Sequence, residues 1–197
     1  MSQPEATASS VLPSWVDSAL FKCMLRGIER ESLRMQSNGF LSQNNHPRAL
    51  GSALTHPHIT TDYSEALMEF ITPPQPSIPE ALDYLKDIHA VAHKHLEDGE
   101  KLWPLSMPCM LDDAEDSIRL AEYGTSNIGR FKTLYRHGLG VRYGRRMQTI
   151  AGLHYNLSFG DDLFAAWQAQ TPNAQDLTLT EFRNDKYLGL IRNFKRL

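Results

Sequence analysis

The chain is poor in cysteine: only Cys23 and Cys109 occur in 197 residues. A secreted domain stapled by disulfides would carry more, so the pair fits a reducing cytoplasm, with both thiols expected as buried packing. No apolar run approaches the length that crosses a bilayer, and mean hydropathy is −0.41. The opening MSQPEATASS has no basic start and no apolar centre, which excludes a secretory leader and reads as a frayed tail over 1–13. Neither a P-loop, nor GxGxxG, nor a nucleophile elbow is present, so any nucleotide site must be of another kind. Net charge is only −3, which names no dominant partner. Repeats and low-complexity segments are also lacking.

What is present is enough for a packed core: 41% of residues are apolar and 22% charged, the content of one ordinary domain or one lobe of a larger one. Charge is distributed unevenly. Asp62 to Asp116 holds thirteen Asp or Glu against three Lys, whereas Tyr123 to Gly160 holds no acid and six bases. These are Arg130, Lys132, Arg136, Arg142, Arg145 and Arg146. An acidic block followed by a basic one suits a site for both cations and anions; two solvated surfaces of opposite sign are the plainer alternative.

Residues 14–25 read as a helix leading into a strand. Residues 25–35 (LRGIERESLRM) alternate as a strand, with Glu29 and Glu31 on one face and Ile28 and Arg30 on the other. Asn38-Gly39 marks a turn. In TDYSEALMEFIT (61–72) the spacing of four puts Glu65 and Glu69 on one face of either a helix or a strand. Ser77 and Glu80 form a capping-box pattern for a helix over 78–98 with Gly99 as its C-cap. His89, His93 and His95 on that helix lack an acid or cysteine to complete a metal site and read as surface residues. The Gly- and Arg-rich stretch 123–147 reads as mostly irregular. Gln148 to Phe159 reads as a strand with Gln148, Gly152, His154, Asn156 and Ser158 on a polar front and Leu153, Tyr155 and Leu157 on an apolar back. That front suits the wall of a site as well as it suits a wet face. Residues 179–197 read as a helix that stops with its apolar stripe intact, as if the chain were cut.

Four carboxylates, Glu29, Glu31, Glu65 and Glu69, are candidate ligands for a hard divalent ion, because gathered like charges raise one another's pKa unless a cation sits among them. The plainer alternative pairs Glu29 with Arg30 or Arg34. Arg130, Lys132, Tyr135 and Arg136 offer planar donors and amphipathic walls for an anion. Basic residues interleaved with aromatics also suit nucleic acid, but no recognised module accompanies them, and no nucleic-acid or membrane partner is expected.

Six segments in order, ALGSALTHPHITTD (49–62) and WPLSMPC (103–109) among them, carry a resemblance. With GIERESLR (27–34), ITTDYSEALMEFITP (59–73), YGTSNIGRFKTLYRHGL (123–139) and MQTIAGLHYNLS (147–158), they resemble the proteobacterial-type glutamate–cysteine ligases. The resemblance implies an α+β fold like that of glutamine synthetase: a curved, mainly antiparallel sheet with helices packed on one side. It implies ATP as co-substrate and Mg2+ or Mn2+. The γ-carboxylate of L-glutamate would be activated as an acyl phosphate and taken by the amine of L-cysteine, giving γ-glutamylcysteine, the first step toward glutathione. Glu29, Glu31, Glu69 and His154 match the family's metal side, with Glu65 in the same motif. Gln148 and Asn156 resemble the glutamate and nucleotide side, and Tyr63, Tyr135, Arg136 and Leu139 the cysteine-binding wall. Arg130 and Lys132 are further anion contacts. Full members are more than twice as long, so 14–197 is expected to be the N-terminal part of a catalytic domain, impaired by itself or acting only as a ligand- or partner-binding remnant.

Overall fold

A computed structural model describes residues 12–97 and 99–196. The expected tail over 1–13 lies, up to residue 11, outside the described residues. The chain divides into two compact units, Arg26–Asn156 and Met1–Leu25 with Leu157–Leu197.

The larger unit is built on an open sheet whose central strand is β1 (Leu25–Met35). Its alternating sequence becomes alternating faces. Strand β3 (Leu67–Ile71) runs antiparallel beside it in the register Glu29↔Ile71, Glu31↔Glu69 and Leu33↔Leu67. β2 (Ile59–Thr61) pairs antiparallel with β3 on its far side. β4 (Lys101–Leu102) pairs with the end of β1, and β5 (Leu153–Ser158) also pairs with β1.

One face of this sheet presents Ile59, Met68 and Phe70 to α1 (Ile78–His95), where Ile88 and Ala92 complete an apolar layer with Leu50. Ser77 caps α1 by accepting the Glu80 amide at 3.2 Å, as its pattern predicts. The helix ends at His95 rather than 98, because Leu96 turns to an extended conformation; Gly99, at φ +81°, lies past that end. His89 is not a surface residue: its ring packs 4.2 Å from Phe70, and burial lowers its pKa.

Burial also decides the fate of Arg34, which is fully buried in β1. Its guanidinium pairs with the buried Glu100 at 3.1 Å and donates to the carbonyls of Asn44 (2.8 Å) and Glu65 (2.9 Å). A buried charge persists only with such partners. Arg30 donates to the Pro104 carbonyl, so neither arginine neutralises Glu29.

The stretch 123–147 is not irregular. Asn127–Tyr143 form helix α2, capped by Ser126, which accepts the Gly129 amide at 3.2 Å. Two of its glycines, Gly129 and Gly140, are sites of close approach rather than breaks. A Cβ on Gly129 would stand 2.5 Å from the Tyr123 carbonyl oxygen, and one on Gly140 would meet the Tyr63 hydroxyl. The strand expected from Gln148 begins only at Leu153. Arg146–Thr149 close a 3-10 turn in which the buried Thr149 hydroxyl donates to the Arg146 carbonyl at 2.7 Å. β5 is exposed along its whole length, so the anticipated apolar back is uncovered, with Leu153 at 62% and Tyr155 at 55%.

In the smaller unit a 3-10 turn, Ser18–Phe21, stands where a helix was expected. α3 (Asp161–Ala169) and α4 (Leu179–Phe194) pack around Phe164, Ala174 and Phe182. Thr178 and Glu181 form a full capping box at the start of α4. Both cysteines are free; Cys109 is buried as expected, but Cys23 is exposed.

Two glycines of α2 should respond oppositely to alanine. Gly129→Ala is expected to lose about 1–2 kcal/mol, because overpacking against Tyr123 outweighs the helix preference of Ala. Gly138→Ala, with nothing within 4 Å of its Cβ, should gain about 0.5–1 kcal/mol. Urea unfolding midpoints measure both.

Candidate functional site

On the sheet face opposite α1, the side-chain period of two aligns Glu29 and Glu31 of β1 with Glu69 of β3, and Glu31 and Glu69 are direct cross-strand partners. Like charges in that relation repel unless something neutralises them. The Glu31 carboxylate, in a residue only 8% exposed, accepts the Gly152 amide at 2.7 Å. Burial raises its pKa, and the Asp62 charge adds to the rise, against that hydrogen bond and the nearby His154. Glu69 is pushed up to about 7 by burial first, then by Asp62, Glu31 and Glu29, with His154 opposing.

Strand β5 supplies the opposite wall. Asn156 Nδ2 donates to Glu29 Oε1 at 2.9 Å, and His154 Nδ1 lies 3.2 Å from Glu29 Oε2. Gly152 allows this approach, since a Cβ there would come 3.1 Å from His154 Nε2 and 3.2 Å from Glu31 Oε1. Glu29, Glu31, Glu69, His154 and Asn156 are therefore brought together. Asp62, between β2 and β3, joins them through its charge on both Glu31 and Glu69, and sequence reasoning passed it over. Its signal was visible as a third acid, with Glu65 and Glu69, in the segment 61–72.

Other candidates stand elsewhere. Glu65 does not share a face with Glu69, because the chain turns at Ser64–Ala66 before β3 begins. Its oxygens accept the backbone amides of His46 (2.8 Å) and Glu122 (2.9 Å), which makes it a latch between loops. Gln148 lies in the 3-10 turn, off the strand. Tyr63 is buried beside Leu33, Leu67 and Ile118, its hydroxyl without a partner among the described residues, and Leu139 packs against the same cluster. Tyr135 and Arg130 are exposed on α2. Arg136 donates to the Asp62 carbonyl, and its guanidinium lies 4.7 Å from the Tyr123 ring centroid, where Lys132 also sits at 4.6 Å.

Among the described residues no three His, Cys, Asp or Glu side chains close into a metal cage. The donor chemistry nevertheless fits a hard divalent ion. Glu29, Glu31, Glu69 and Asp62 form a surplus of carboxylate that adds to burial in raising Glu69 to about 7. Magnesium keeps several waters and needs few protein oxygens, so a loose acidic row suits it better than a closed cage would.

The family model for glutamate–cysteine ligase matches residues 11–197. A glutamate–cysteine ligase of Hahella chejuensis is 56% identical over 171 residues, covering 87% of this chain and 32% of that protein. One from Alcanivorax borkumensis is 52% identical over 172 residues, with 87% and 32% covered. Among solved structures, a glutamate–cysteine ligase of Francisella tularensis in complex with AMP superposes with a TM-score of 0.73 at 40% identity, over 79% of this chain and 30% of that one. A bifunctional glutathione synthetase from Pasteurella multocida gives 0.78 at 32% identity, over 89% and 22%. The chain thus spans about a third of the length of the curated relatives it matches.

The acidic row makes stability depend on pH. A carboxyl whose folded pKa is raised stabilises fully below its unfolded pKa and loses that contribution as pH rises through the folded value. With Glu69 moved from 4.5 to about 7, melting temperature in chelator should fall between about pH 5 and pH 8. Glu69→Gln should flatten that slope and raise stability at the alkaline end, as followed by circular dichroism.

Proposed function

The chain belongs to the glutamate–cysteine ligase family, and from that premise we propose that its acidic row is the magnesium side of a site for ATP-dependent ligation of L-glutamate to L-cysteine. The observation that carries the reading is the opposition of Glu31 and Glu69 across β1 and β3, with Glu29 beside them held by His154 and Asn156. The sheet positions these groups before any ligand arrives, so little reorganisation is needed when charge gathers there.

The reaction class explains why such a row is wanted. The γ-carboxylate of glutamate attacks the terminal phosphorus of ATP, ADP leaves, and an acyl phosphate forms. The cysteine amine then attacks the acyl carbon, phosphate departs with the bonding pair, and the amine loses a proton. The first step brings two anions together, and magnesium, when bound, would screen them and polarise the transferring phosphoryl group. Glu29, Glu31, Glu69 and Asp62 are the residues that would hold it.

His154 and Asn156 orient Glu29 through its two oxygens, as a supporting shell orients metal ligands. Tyr63 and Leu139, packed in the apolar cluster, would back the cysteine side from behind, and Arg136 with Lys132 would supply positive charge on the anion side. Glu65 is proposed as a loop latch rather than a ligand. Magnesium or manganese, ATP, glutamate and cysteine are the proposed ligands, and the cytoplasm the proposed compartment. No helix among the described residues is long and apolar enough to cross a membrane.

Thermal unfolding at pH 8 tests this reading. Magnesium is expected to raise the melting temperature of the chain by a few degrees, a shift that follows from binding to the folded form alone. Glu29→Gln and Glu69→Gln should each abolish most of that shift. Equal response in the wild type and both variants would sink the assignment. The chain alone, spanning a third of its relatives' length, is expected to bind without turnover. ADP release that depends on both amino acids would instead give it the full activity.

A further inference from the structure

Lys132 and Arg136 are four residues apart on α2, so two positive charges share one helix face, where they should repel. Among the described residues neither ends in a salt bridge with a carboxylate. Both instead meet one aromatic ring. The Lys132 ammonium stands 4.6 Å and the Arg136 guanidinium 4.7 Å from the centroid of Tyr123. A ring's negative face attracts cations without neutralising them, so both charges stay available.

Tyr123 is itself fixed. It is 6% exposed, and its hydroxyl donates to the carbonyls of Thr61 at 2.6 Å and Asp62 at 3.1 Å. Gly129 lets the first turn of α2 sit directly on the Tyr123 carbonyl. Arg136 is tied to the same carbonyl of Asp62 through Nε and to the Lys132 carbonyl through Nη1, while Nη2 has no hydrogen-bond partner among the described residues. One ring thus joins the two cations to the loop that leads into β3 and Glu69.

We infer that Tyr123 is a positioning residue that holds Lys132 and Arg136 as a paired seat for one oxyanion beside the acidic row. The inference rests on the proposed function for the anion's source, a substrate carboxylate or a nucleotide phosphate; the seat itself rests on the geometry. Pre-ordering two long side chains on a rigid ring removes much of the entropy an anion would otherwise have to overcome. A ring present only for packing would leave anion affinity unchanged when replaced.

The test uses the full 197-residue chain with Tyr123→Phe and Tyr123→Leu. In nuclear magnetic resonance spectra the side-chain protons of Lys132 and Arg136 should be shifted upfield by the ring in the wild type and in Tyr123→Phe, and return to ordinary positions in Tyr123→Leu. Titration at constant ionic strength with acetate in one arm and inorganic triphosphate in the other follows the Arg136 Nε–H resonance. Acetate binding marks a carboxylate seat, and triphosphate binding a phosphate seat. For the anion that binds, Tyr123→Leu should weaken affinity about tenfold, equivalent to about 1.4 kcal/mol. Tyr123→Phe should restore it to within about twofold, a change of under about 0.5 kcal/mol.

Unchanged affinity in Tyr123→Leu, an equal loss in Tyr123→Phe, or a wild type that takes neither anion each overturns the inference. Magnesium failing to stabilise the chain while the seat still takes an anion would sink the ligase reading and leave this one standing.

Discussion

Two glutamates set directly across from each other on neighbouring strands are the constraint around which the larger unit is arranged. The register Glu31↔Glu69 is fixed because shifting it by one residue would turn Met68 and Phe70 away from α1 and expose them. The apolar layer on one face therefore enforces the electrostatic conflict on the other. The fold accepts that conflict and eases it in part. Gly152 lends an amide to Glu31, His154 and Asn156 hold Glu29, and Glu69 carries its proton close to neutral pH. A cation would complete the compensation more fully than any of these, which is the ground for proposing that the row is a binding surface.

The remaining charges are handled by a different rule. Arg34 is surrounded by Glu100 and two carbonyls, and Glu65 spends both oxygens on backbone amides. These groups are buried, and both guanidinium Nη atoms and both Glu65 oxygens are engaged, so they hold loops. Lys132 and Arg136 rest on an aromatic face and keep their charge. Whether a charged side chain is spent or kept separates the architecture of this unit from its chemistry.

That separation also explains what could be read from the amino-acid order. Glu29 and Glu31 were legible because strand alternation is a local property, whereas the segment holding Glu69 stayed open between helix and strand until its flanks were seen to pack as a strand. Glu65 was misplaced because a spacing of four suits both periods, and only the turn at Ser64–Ala66 breaks the equivalence. α2 was missed because glycine commonly interrupts helices, whereas here Gly129 fits against the Tyr123 carbonyl just before the helix and Gly140 against Tyr63, which is distant in sequence. The start of β5 was misjudged for a related reason, since the burial of Thr149 in a turn is a tertiary fact. Asp62 escaped notice because its role comes through space, from charge on two strands at once.

β5 joins the sheet through β1 and is exposed on both of its sides. Few contacts restrain it, so its ladder is expected to open more readily than that between β1 and β3. His154 and Asn156 therefore ride on an exposed strand, while Glu29 and Glu31, which they face, stand on the central strand of the sheet. The site is thus unequal in its surroundings: carboxylates on strands packed against a core on one side, and a polar strand open to solvent on the other.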